Sequence, residues 1–551
     1  MKRLKINIKA LYEIVVEQYQ TAISIIKKNK QKLIQLAFSL IIFAILFVPI
    51  FYLLLQSFNS ETETLANLYE DKLIHEYSFN TFYLIFITLL FSLILGVIPA
   101  WYISNYEFFG RKILDLILYL PLAIPTYIMA FSYSDILSYT GPFKFEYDFL
   151  QIEVLGVILA FSLYPYIYTT SRISFSLLGS KYFDLAKNLG LSSFQTFYKV
   201  VLPLSKPAIF SGVFLVIMEV LNEYGAVEYF GINTFTIGIF KSWYAYNDTG
   251  AAIQLSSILL FIVAFLFFTE KYFNKNKRFT FSKNTKVSKS HSLYNFKLCL
   301  VYLICFIPIT LAFIIPVSYN LLNVYSIFDK VNWNELYNFT FNSVSLSLLS
   351  SIIILIISTY FVYNEKISKS RLYLYLNQFI SLGYSVPGAV VGLGVLVIVT
   401  SFDNSIENID LIGGFWMYFF ILIYAYIIRF LAVGKSPIQS GLEKYPESYD
   451  NSAKTLGLSN FKIFHKVYFP INKYTFFTAI IMVFIDLMKE LPITYILRPF
   501  NFDTLALQTY FYAIEESIEM SSIYSTMIIL ICTILLIFLK FLLNKAYVFR
   551  N

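Results

Sequence analysis

Long runs of apolar residues alternate with short polar segments along most of the chain. Twelve of these runs reach about 20 residues, the length that an α-helix needs to cross the hydrocarbon core of a bilayer. They lie near residues 33–57, 79–104, 113–135, 152–171, 207–229, 251–272, 297–319, 342–363, 372–400, 413–433, 473–495 and 521–544. Because lipid offers the backbone no hydrogen-bond partner, each run is predicted to be a helix. The pattern therefore predicts an all-α polytopic membrane protein.

The composition excludes several other classes of protein. Of the 551 residues, 58% are hydrophobic and 14% are charged, whereas soluble domains carry about 25% charge. A cytosolic enzyme, a disordered protein and a secreted disulfide scaffold do not fit these values. The three cysteines all fall inside apolar runs, where we interpret them as packing residues. The net charge of +8 follows from basic loops on one side of a bilayer, so no nucleic-acid partner is predicted.

Basic and acidic loops alternate along the chain, and this alternation predicts its orientation. By the boundaries above, about 5 of the 42 Lys and Arg lie on one side, together with about 19 of the 34 Asp and Glu. Cytoplasmic loops are rich in Lys and Arg. Both termini are therefore expected in the cytoplasm, and residues 1–32 are expected to form a cytoplasmic arm that lies on the membrane surface.

An internal repeat divides the chain into two halves. The segment YFDLAKNLGLSSFQTFYKVVLP at 182–203 aligns without gaps on YDNSAKTLGLSNFKIFHKVYFP at 449–470, with 12 of 22 positions identical. A Lys- and Ser-rich stretch at 273–296 separates halves at 33–272 and 297–551 and is predicted to be a cytoplasmic linker. Six spans separate the copies, so both copies face the same side. The repeat predicts a parallel duplication with a central pathway between the halves.

The repeated segment has the pattern of a compact knob outside the membrane. A helix up to Leu189 ends at Gly190, a residue that permits a left-handed C-cap, and Pro203 and Pro207 are expected to end a second short helix before the next span. The second helix is predicted to carry an apolar stripe formed by Phe194, Phe197, Val200 and Val201. Such an exposed stripe indicates a protein contact, and the alternative is a loop that packs on its own bundle.

The two segments resemble the EAA loop of ATP-binding-cassette (ABC) importer permeases. The family pattern is Glu-Ala-Ala, three residues, Gly, nine residues, Ile, one residue and Leu-Pro. The match assigns coupling positions to Asp184, Ala186, Gly190 and Pro203 and to Asn451, Ala453, Gly457 and Pro470. The second copy departs from the pattern, because it lacks an acid at the first position and has Asp450 beside it. The resemblance implies that a separate homodimeric ATPase docks on both loops.

The chain itself is not expected to be an enzyme. Its one string similar to a phosphate-binding loop, Gly434-Lys435-Ser436, follows no strand, whereas a phosphate cradle needs a strand, a loop and a helix. None of the three histidines has a nucleophile or a metal partner at a useful spacing. We therefore predict a transport subunit without catalytic residues, cofactor or tightly bound metal.

Two acidic residues recur in the span after each loop. At the same offset of 267, Glu219 aligns with Asp486 and Glu223 aligns with Glu490. Residues four apart share a helix face, and each charge near a helix centre costs about 2.5–3.5 kcal/mol on the insertion scale. One interpretation is an acidic lining that eases the passage of a cation. The alternative is structural, with Asp486 paired to Lys489 and the other carboxylates bonded to neighbouring helices.

The strings around these residues sharpen the resemblance. MEVLNEYGAVEYFGINTFTIGIF and KELPITYILRPFNFDTLA resemble fused permeases of ferric-iron ABC importers, as do the proline-containing third spans of each half with Pro125 and Pro387. The resemblance implies a type I importer fold in a bacterial inner membrane and a pathway lined by these prolines, although a packing kink is equally compatible. It also implies ferric iron delivered by an extracytoplasmic iron-binding protein.

Other substrates and another class of transporter remain open at this point. Permeases for thiamine, polyamines and phosphonates share the architecture. A secondary transporter driven by an ion gradient can also have twelve spans in two parallel halves, but such a protein gives no reason for two glycine-centred knobs at one matched depth.

Overall fold

The computed structural model describes residues 33–58, 66, 70, 72–139, 141–274, 291–292, 296–368, 370–405, 414–446 and 448–548. The predicted N-terminal arm and most of the predicted linker lie outside this part of the chain. The chain divides into two units, residues 1–48 and residues 49–551. The described part of the first unit is the beginning of helix α1, Leu33–Phe58. The packing below concerns the second unit.

The described residues of the first half form nine further helices. They are α2 Leu73–Asn105, α3 Arg111–Ile117, α4 Thr126–Leu137, α5 Ile152–Asn188, α6 Ser193–Thr196, α7 Leu202–Asn222, α8 Gly225–Tyr229, α9 Phe235–Phe240 and α10 Thr249–Asn274. A 3-10 turn, Leu120–Ala123, follows α3, and π turns at Phe197–Val201 and Lys241–Ala245 follow α6 and α9. A two-residue strand, β1 Tyr106–Glu107, lies between α2 and α3 and pairs in parallel with β2, His291–Ser292.

The second half repeats this order after β2. Its helices are α11 Phe296–Ile309, α12 Ile315–Ser326, α13 Trp333–Ser368, α14 Arg371–Ile380, α15 Gly388–Ser405, α16 Phe415–Glu443, α17 Ser448–Thr455, α18 Asn460–Ile463, α19 Phe469–Met488, α20 Pro492–Leu497, α21 Leu505–Ile514 and α22 Ile518–Val548. Shorter turns at Thr310–Ile314, Phe328–Lys330, Gly383–Ser385 and Phe464–Tyr468 connect them.

Ten helices in the described part are long and apolar enough to cross a membrane, and two bent helix pairs raise the number to twelve. The all-α polytopic fold predicted from the sequence is thus confirmed. The prediction of one helix for each of the third and ninth spans is wrong, because the chain forms two helices there, bent by 91° and 106°. Pro125 and Pro387 lie at the two bends. Proline removes a backbone donor and its ring clashes with the preceding turn, so a straight helix cannot pass through it without cost.

The crossing of α2 with α5 in the first half corresponds to the crossing of α13 with α16 in the second half. The glycine at the contact lies on a different helix in each half. In the first half, a Cβ added to Gly96 of α2 would lie 3.0 Å from Cβ of Ile167 on α5. In the second half, Gly434 on α16 aligns with Ile167, and its added Cβ would lie 2.9 Å from Ile354 on α13. A glycine lets two membrane helices approach closely. The two halves keep the same close crossing with the glycine on opposite helices.

The halves interlock through their first spans. Tyr319 and Asn320 of α12, in the second half, bind α4 of the first half through Asp135 at 2.8 Å and Ser132 at 2.7 Å. In return, the end of α1 contacts α15 of the second half, where the Tyr52 hydroxyl donates to Ser401 Oγ at 3.0 Å. Each half therefore packs the end of its first span against the bent pair of the other half.

Candidate functional site

A small acidic cavity of about 80 Å³ lies between the two halves. Its wall includes the four carboxyl groups that the sequence singles out: Glu219, Glu223, Asp486 and Glu490. It also includes two cationic side chains, Arg429 and Lys489, and Pro125 at the first bend. The structure thus brings together residues that lie up to 365 positions apart in the chain. Pro387, at the second bend, is buried and does not line this cavity.

The expected pairing of carboxylates on one helix face is wrong. Helix α7 ends at Asn222 and α19 ends at Met488, so Glu223 and Glu490 lie beyond their helices. Each of the two carboxylates instead accepts a hydrogen bond from the first turn of the next short helix. Glu223 Oε1 accepts from the N–H of Ala226 at 3.1 Å, and Glu490 Oε1 accepts from the N–H of Ile493 at 3.0 Å. A buried helix start needs such acceptors for its free N–H groups.

The two capping carboxylates differ in what surrounds them. Glu490 forms an ion pair with Arg429 at 2.6 Å, and both side chains are at most 5% exposed. Gly388 leaves room for this pair, because an added Cβ would lie 2.3 Å from Arg429 Nη1. Ser162 occupies the position that aligns with Arg429 in the first half. There, Glu223 accepts a hydrogen bond from the Thr126 hydroxyl instead.

The other two carboxylates lie in the last turns of α7 and α19. Glu219 Oε1 accepts hydrogen bonds from the hydroxyl of Tyr166, at 3.3 Å, and from that of Tyr384, which belongs to the other half. Asp486 pairs with Lys489 at 3.4 Å, as the structural alternative anticipated. Lys489 also donates to the carbonyl oxygen of Leu122 at 3.1 Å. No local pattern indicated the two tyrosines, because their approach depends on how the halves pack.

A larger cavity of about 590 Å³ adjoins the acidic one. It is lined by residues 211–218 of α7 and residues 482–486 of α19. The acidic cavity is lined by later residues of the same two segments, including Glu223 and Glu490. Both helices therefore run in the same direction along the two cavities. Because the repeated loops precede these helices, both loops lie at the same end of the bundle.

The Gly turns of the two loops have the predicted left-handed conformation. Gly190 has φ +78° and Gly457 has φ +75°. The next residue in each copy donates its N–H back across the turn: Leu191 to the carbonyl of Ala186 at 3.0 Å, and Leu458 to that of Ala453 at 3.2 Å. This closure is typical of helix C-caps. The two loops have the same backbone despite their different first residues.

Two apolar side chains in each loop are exposed at matched positions. Leu189 and Leu456 are 80% and 79% exposed, and Phe194 and Phe461 are 77% and 75% exposed. The predicted stripe is thus only partly correct. Phe197 packs on Trp101 with ring centroids 4.9 Å apart, and Val201 is buried.

Pro203 and its counterpart Pro470 do not end the loop helices, and the prediction that Pro203 and Pro207 end the helix of the first loop is wrong. The helices run without a break from Phe194 to Asn222 and from Asn460 to Met488. A π turn precedes each proline, at Phe197–Val201 and Phe464–Tyr468. Wider π turns are a known way to accommodate irregularity inside a helix. Both prolines are exposed, as is Asn451, and the Asp184 side chain lies outside the described residues.

Two other sequence features take defined positions. Asp450, beside the missing acid of the second loop, is buried and therefore offers no surface charge. The Gly434-Lys435-Ser436 string lies in the interior of α16, where Lys435 donates to Ser381 Oγ at 2.6 Å. This string is a helical segment of the wall of the larger cavity, not a loop.

The comparison with known proteins identifies the same repeat. Residues 92–279 and 367–548 each match the family described as binding-protein-dependent transport system inner membrane component. The Fe(3+)-transport system permease protein FbpB 2 of Haemophilus influenzae is 24% identical over 468 residues, which cover 84% of this chain and 88% of that relative. This likeness extends through both halves.

Shorter relatives have a different printed substrate. The sulfate transport system permease protein CysT of Salmonella typhimurium is 32% identical over 154 residues, 27% of this chain and 56% of that relative. A probable sulfate transport system permease protein cysT of Chlorokybus atmophyticus is 29% identical over 205 residues, 34% of this chain and 71% of that relative. Because the family matches more than half of the chain, in two copies, this chain belongs to the inner membrane components of binding-protein-dependent transport systems.

Proposed function

We propose that the chain is the membrane subunit of an ABC importer for ferric iron. Family membership places it among multi-pass permease subunits that work with an ATPase and a substrate-binding protein. The observation that carries the choice of substrate is the acidic cavity between the halves, where four carboxyl groups meet two cationic groups. Such a lining lowers the energy of a cation at membrane depth.

The same charge balance argues against sulfate. Two unit charges 4 Å apart interact by about 4 kcal/mol at an effective dielectric constant near 20. A divalent oxyanion in the acidic cavity would be repelled by Glu219 and Glu223, neither of which has a cationic hydrogen-bond partner in the described structure. The long alignment with an Fe(3+)-transport permease points in the same direction.

The repeated loops are the proposed ATPase contact. Four exposed apolar side chains at matched positions, Leu189, Phe194, Leu456 and Phe461, suit a partner with two equivalent grooves, as in a homodimer. We place these loops and both termini in the cytoplasm, and the iron-binding protein at the opposite face. ATP-driven closure of the ATPase would then move both loops together and open the central pathway alternately to each side.

Radioactive uptake tests the substrate. Cells lacking their own iron and sulfate importers would express the permease with its cognate ATPase and binding protein, and take up ⁵⁵Fe³⁺ or ³⁵S-sulfate. We expect iron uptake that is not reduced by excess sulfate, thiamine, a polyamine or a phosphonate. Sulfate uptake without iron uptake would overturn the proposal.

The energy source is tested in the same cells. Inactivation of the ATPase should abolish iron uptake while the permease remains in the membrane. Uptake that persists without ATP hydrolysis but collapses with the ion gradient would instead support the gradient-driven alternative.

A further inference from the structure

Few side chains separate the two cavities, and an ion moving between them must pass these side chains. Five residues line both cavities: Leu122, Tyr166, Tyr384, Asp486 and Lys489. Two come from the first half and three from the second. These five residues form a partition between the two cavities, and its chemistry decides what can pass from one cavity to the other.

Three oxygen atoms meet at this partition. The hydroxyl groups of Tyr166 and Tyr384 both donate to the same atom, Glu219 Oε1. The two phenol oxygens therefore lie within hydrogen-bond reach of one carboxylate oxygen, although Tyr384 belongs to the other half. Hydrogen-bonded oxygens are about as far apart as neighbouring ligands around one metal ion, so a small movement would let all three contact a single cation.

Phenolate and carboxylate oxygens are hard anionic donors, and Fe³⁺ is a hard, highly charged cation that prefers such ligands. A ferric ion bound by two phenolates and one carboxylate carries no net charge. This neutrality matters inside a membrane, where an uncompensated charge is costly. Neither thiolate nor imidazole is needed for such a site.

Two neighbouring features support a ligand at this place. Tyr127 lines the acidic cavity, is 3% exposed, and its hydroxyl has no hydrogen-bond partner among the described residues. A buried unpaired polar group costs about 1–3 kcal/mol, which a bound ion or its water would relieve. In addition, Lys489 holds its ammonium group 3.4 Å from Asp486. This tethered cation neutralises Asp486, so the three oxygens are left to bind iron.

We propose that Tyr166, Glu219 and Tyr384 form a transient ferric site through which iron passes between the two cavities. The inference rests on the proposed function, since it takes ferric iron as the cargo. Each tyrosine that binds exchanges its O–H bond for a bond to iron. The two protons pass one after the other to Glu219, which already accepts both hydrogen bonds, and from there to water in the acidic cavity that Glu219 lines, so the carboxylate is deprotonated again when it binds iron. No electron is transferred, so the iron stays ferric.

The site is built to release its ion. Tight ligation would trap the cargo, because conduction requires sites that an ion can leave. Tyr384 lies on the second half, whereas Tyr166 and Glu219 lie on the first. Any movement that separates the halves removes one ligand of three, so binding and release follow the relative position of the halves.

Visible absorption tests the site directly. Phenolate bound to Fe³⁺ absorbs visible light through charge transfer, whereas carboxylate and water ligands do not produce this band. The purified permease with its ATPase in lipid nanodiscs would be titrated with ferric nitrilotriacetate. We expect a band in the natural protein and its loss in Y166F/Y384F. We also expect about tenfold lower iron uptake by that variant, equivalent to about 1.4 kcal/mol.

Y164F is the matched control. Tyr164 lies on the same helix, is buried and donates to the carbonyl of Leu118 at 3.1 Å, but lines neither cavity. It should keep both the band and the uptake. Iron uptake by the natural protein without a band, or a band retained by the well-folded Y166F/Y384F variant, overturns the ferric site and leaves the proposed function intact. Absence of iron uptake by the natural protein overturns both.

Discussion

The two halves place a carboxyl group at the same backbone position but surround it with different partners. Glu223 and Glu490 each accept from the first turn of a short helix, at 3.1 and 3.0 Å. Only Glu490 has an arginine beside it, and Gly388 provides the space for that arginine. The repeated geometry indicates that the capping role came with the duplicated backbone. The differing partners show that the charge at this depth is adjusted separately in each half.

The other pair of carboxylates, Glu219 and Asp486, differs in the same way. Asp486 has an ammonium partner, whereas Glu219 has two tyrosine hydroxyls. In the described structure, both carboxylates of the second half have a cationic partner, and neither carboxylate of the first half has one. The surplus negative charge of the acidic cavity thus belongs to the first half.

The largest effect is expected from removing the arginine. Arg429→Met would leave Glu490 buried without its partner, which costs about 3–5 kcal/mol. We expect a strong loss of folded protein, measured by thermal unfolding in detergent and by abundance in membranes. Ser162→Ala, at the aligned position, removes only a hydrogen bond to the Ile124 carbonyl and should cost about 1 kcal/mol. An R429M protein as stable as S162A would contradict the comparison.

A large effect on assembly with the ATPase is expected from substitutions at the two glycine turns of the repeated loops. Valine at Gly190 and Gly457 would have to adopt a left-handed conformation, at about 1–2 kcal/mol per residue. The distorted loops should lose the ATPase, measured by copurification of the two subunits. Gly110 is the control, because it has φ +76° and open space around an added Cβ but lies outside both loops. A G190V/G457V complex that assembles and transports fully would rule out docking at these loops.

A moderate effect on iron uptake is expected from removing the charge of Glu219 or Asp486. Glu219→Gln should lower iron uptake about tenfold, or about 1.4 kcal/mol, without lowering protein abundance, and Asp486→Asn should lower it less, because Lys489 already neutralises Asp486. Glu153→Gln changes another carboxylate bonded to a tyrosine, at 3.1 Å from Tyr83, away from both cavities. It should leave uptake unchanged. If E219Q/D486N transports iron normally, these carboxylates have a structural role only.

The smallest effect is expected at the capping carboxylate of the first half. Glu223→Gln keeps an oxygen that can accept from the N–H of Ala226, so stability should fall by less than about 1 kcal/mol. Iron uptake should fall less than in E219Q. Thermal unfolding and uptake measured side by side check this order. A loss of uptake equal to that of E219Q would place Glu223 on the ion pathway rather than at a helix start.

Local sequence signals predicted the repeated parts of the molecule well. Gly190 and Gly457 were expected to be left-handed because a glycine follows a helix-compatible segment in both copies, and both are. The number of spans followed from apolar run length, because lipid imposes that length on every helix. The even number of spans between the copies anticipated that both loops lie at one end.

Features that depend on packing could not be predicted in this way. The apolar pattern continues past Asn222 and Met488, so it did not show that both helices end there. A kink at Pro125 and Pro387 was compatible with the sequence, but the break of each span into two helices was not predicted, since proline is tolerated in some membrane helices. The contact between Tyr384 and Glu219 joins residues 165 positions apart. No local pattern encodes such a distance.

The exchange of first helices between the halves has a consequence for how this protein can be divided. A polypeptide cut within the segment between α10 and α11 would yield two fragments, each lacking the helix that contacts its own bent pair, because that helix belongs to the other fragment. Neither fragment would have a complete hydrophobic interior until it met the other. Synthesised separately, the fragments should accumulate only when both are present, so the linker supplies proximity rather than an indispensable bond.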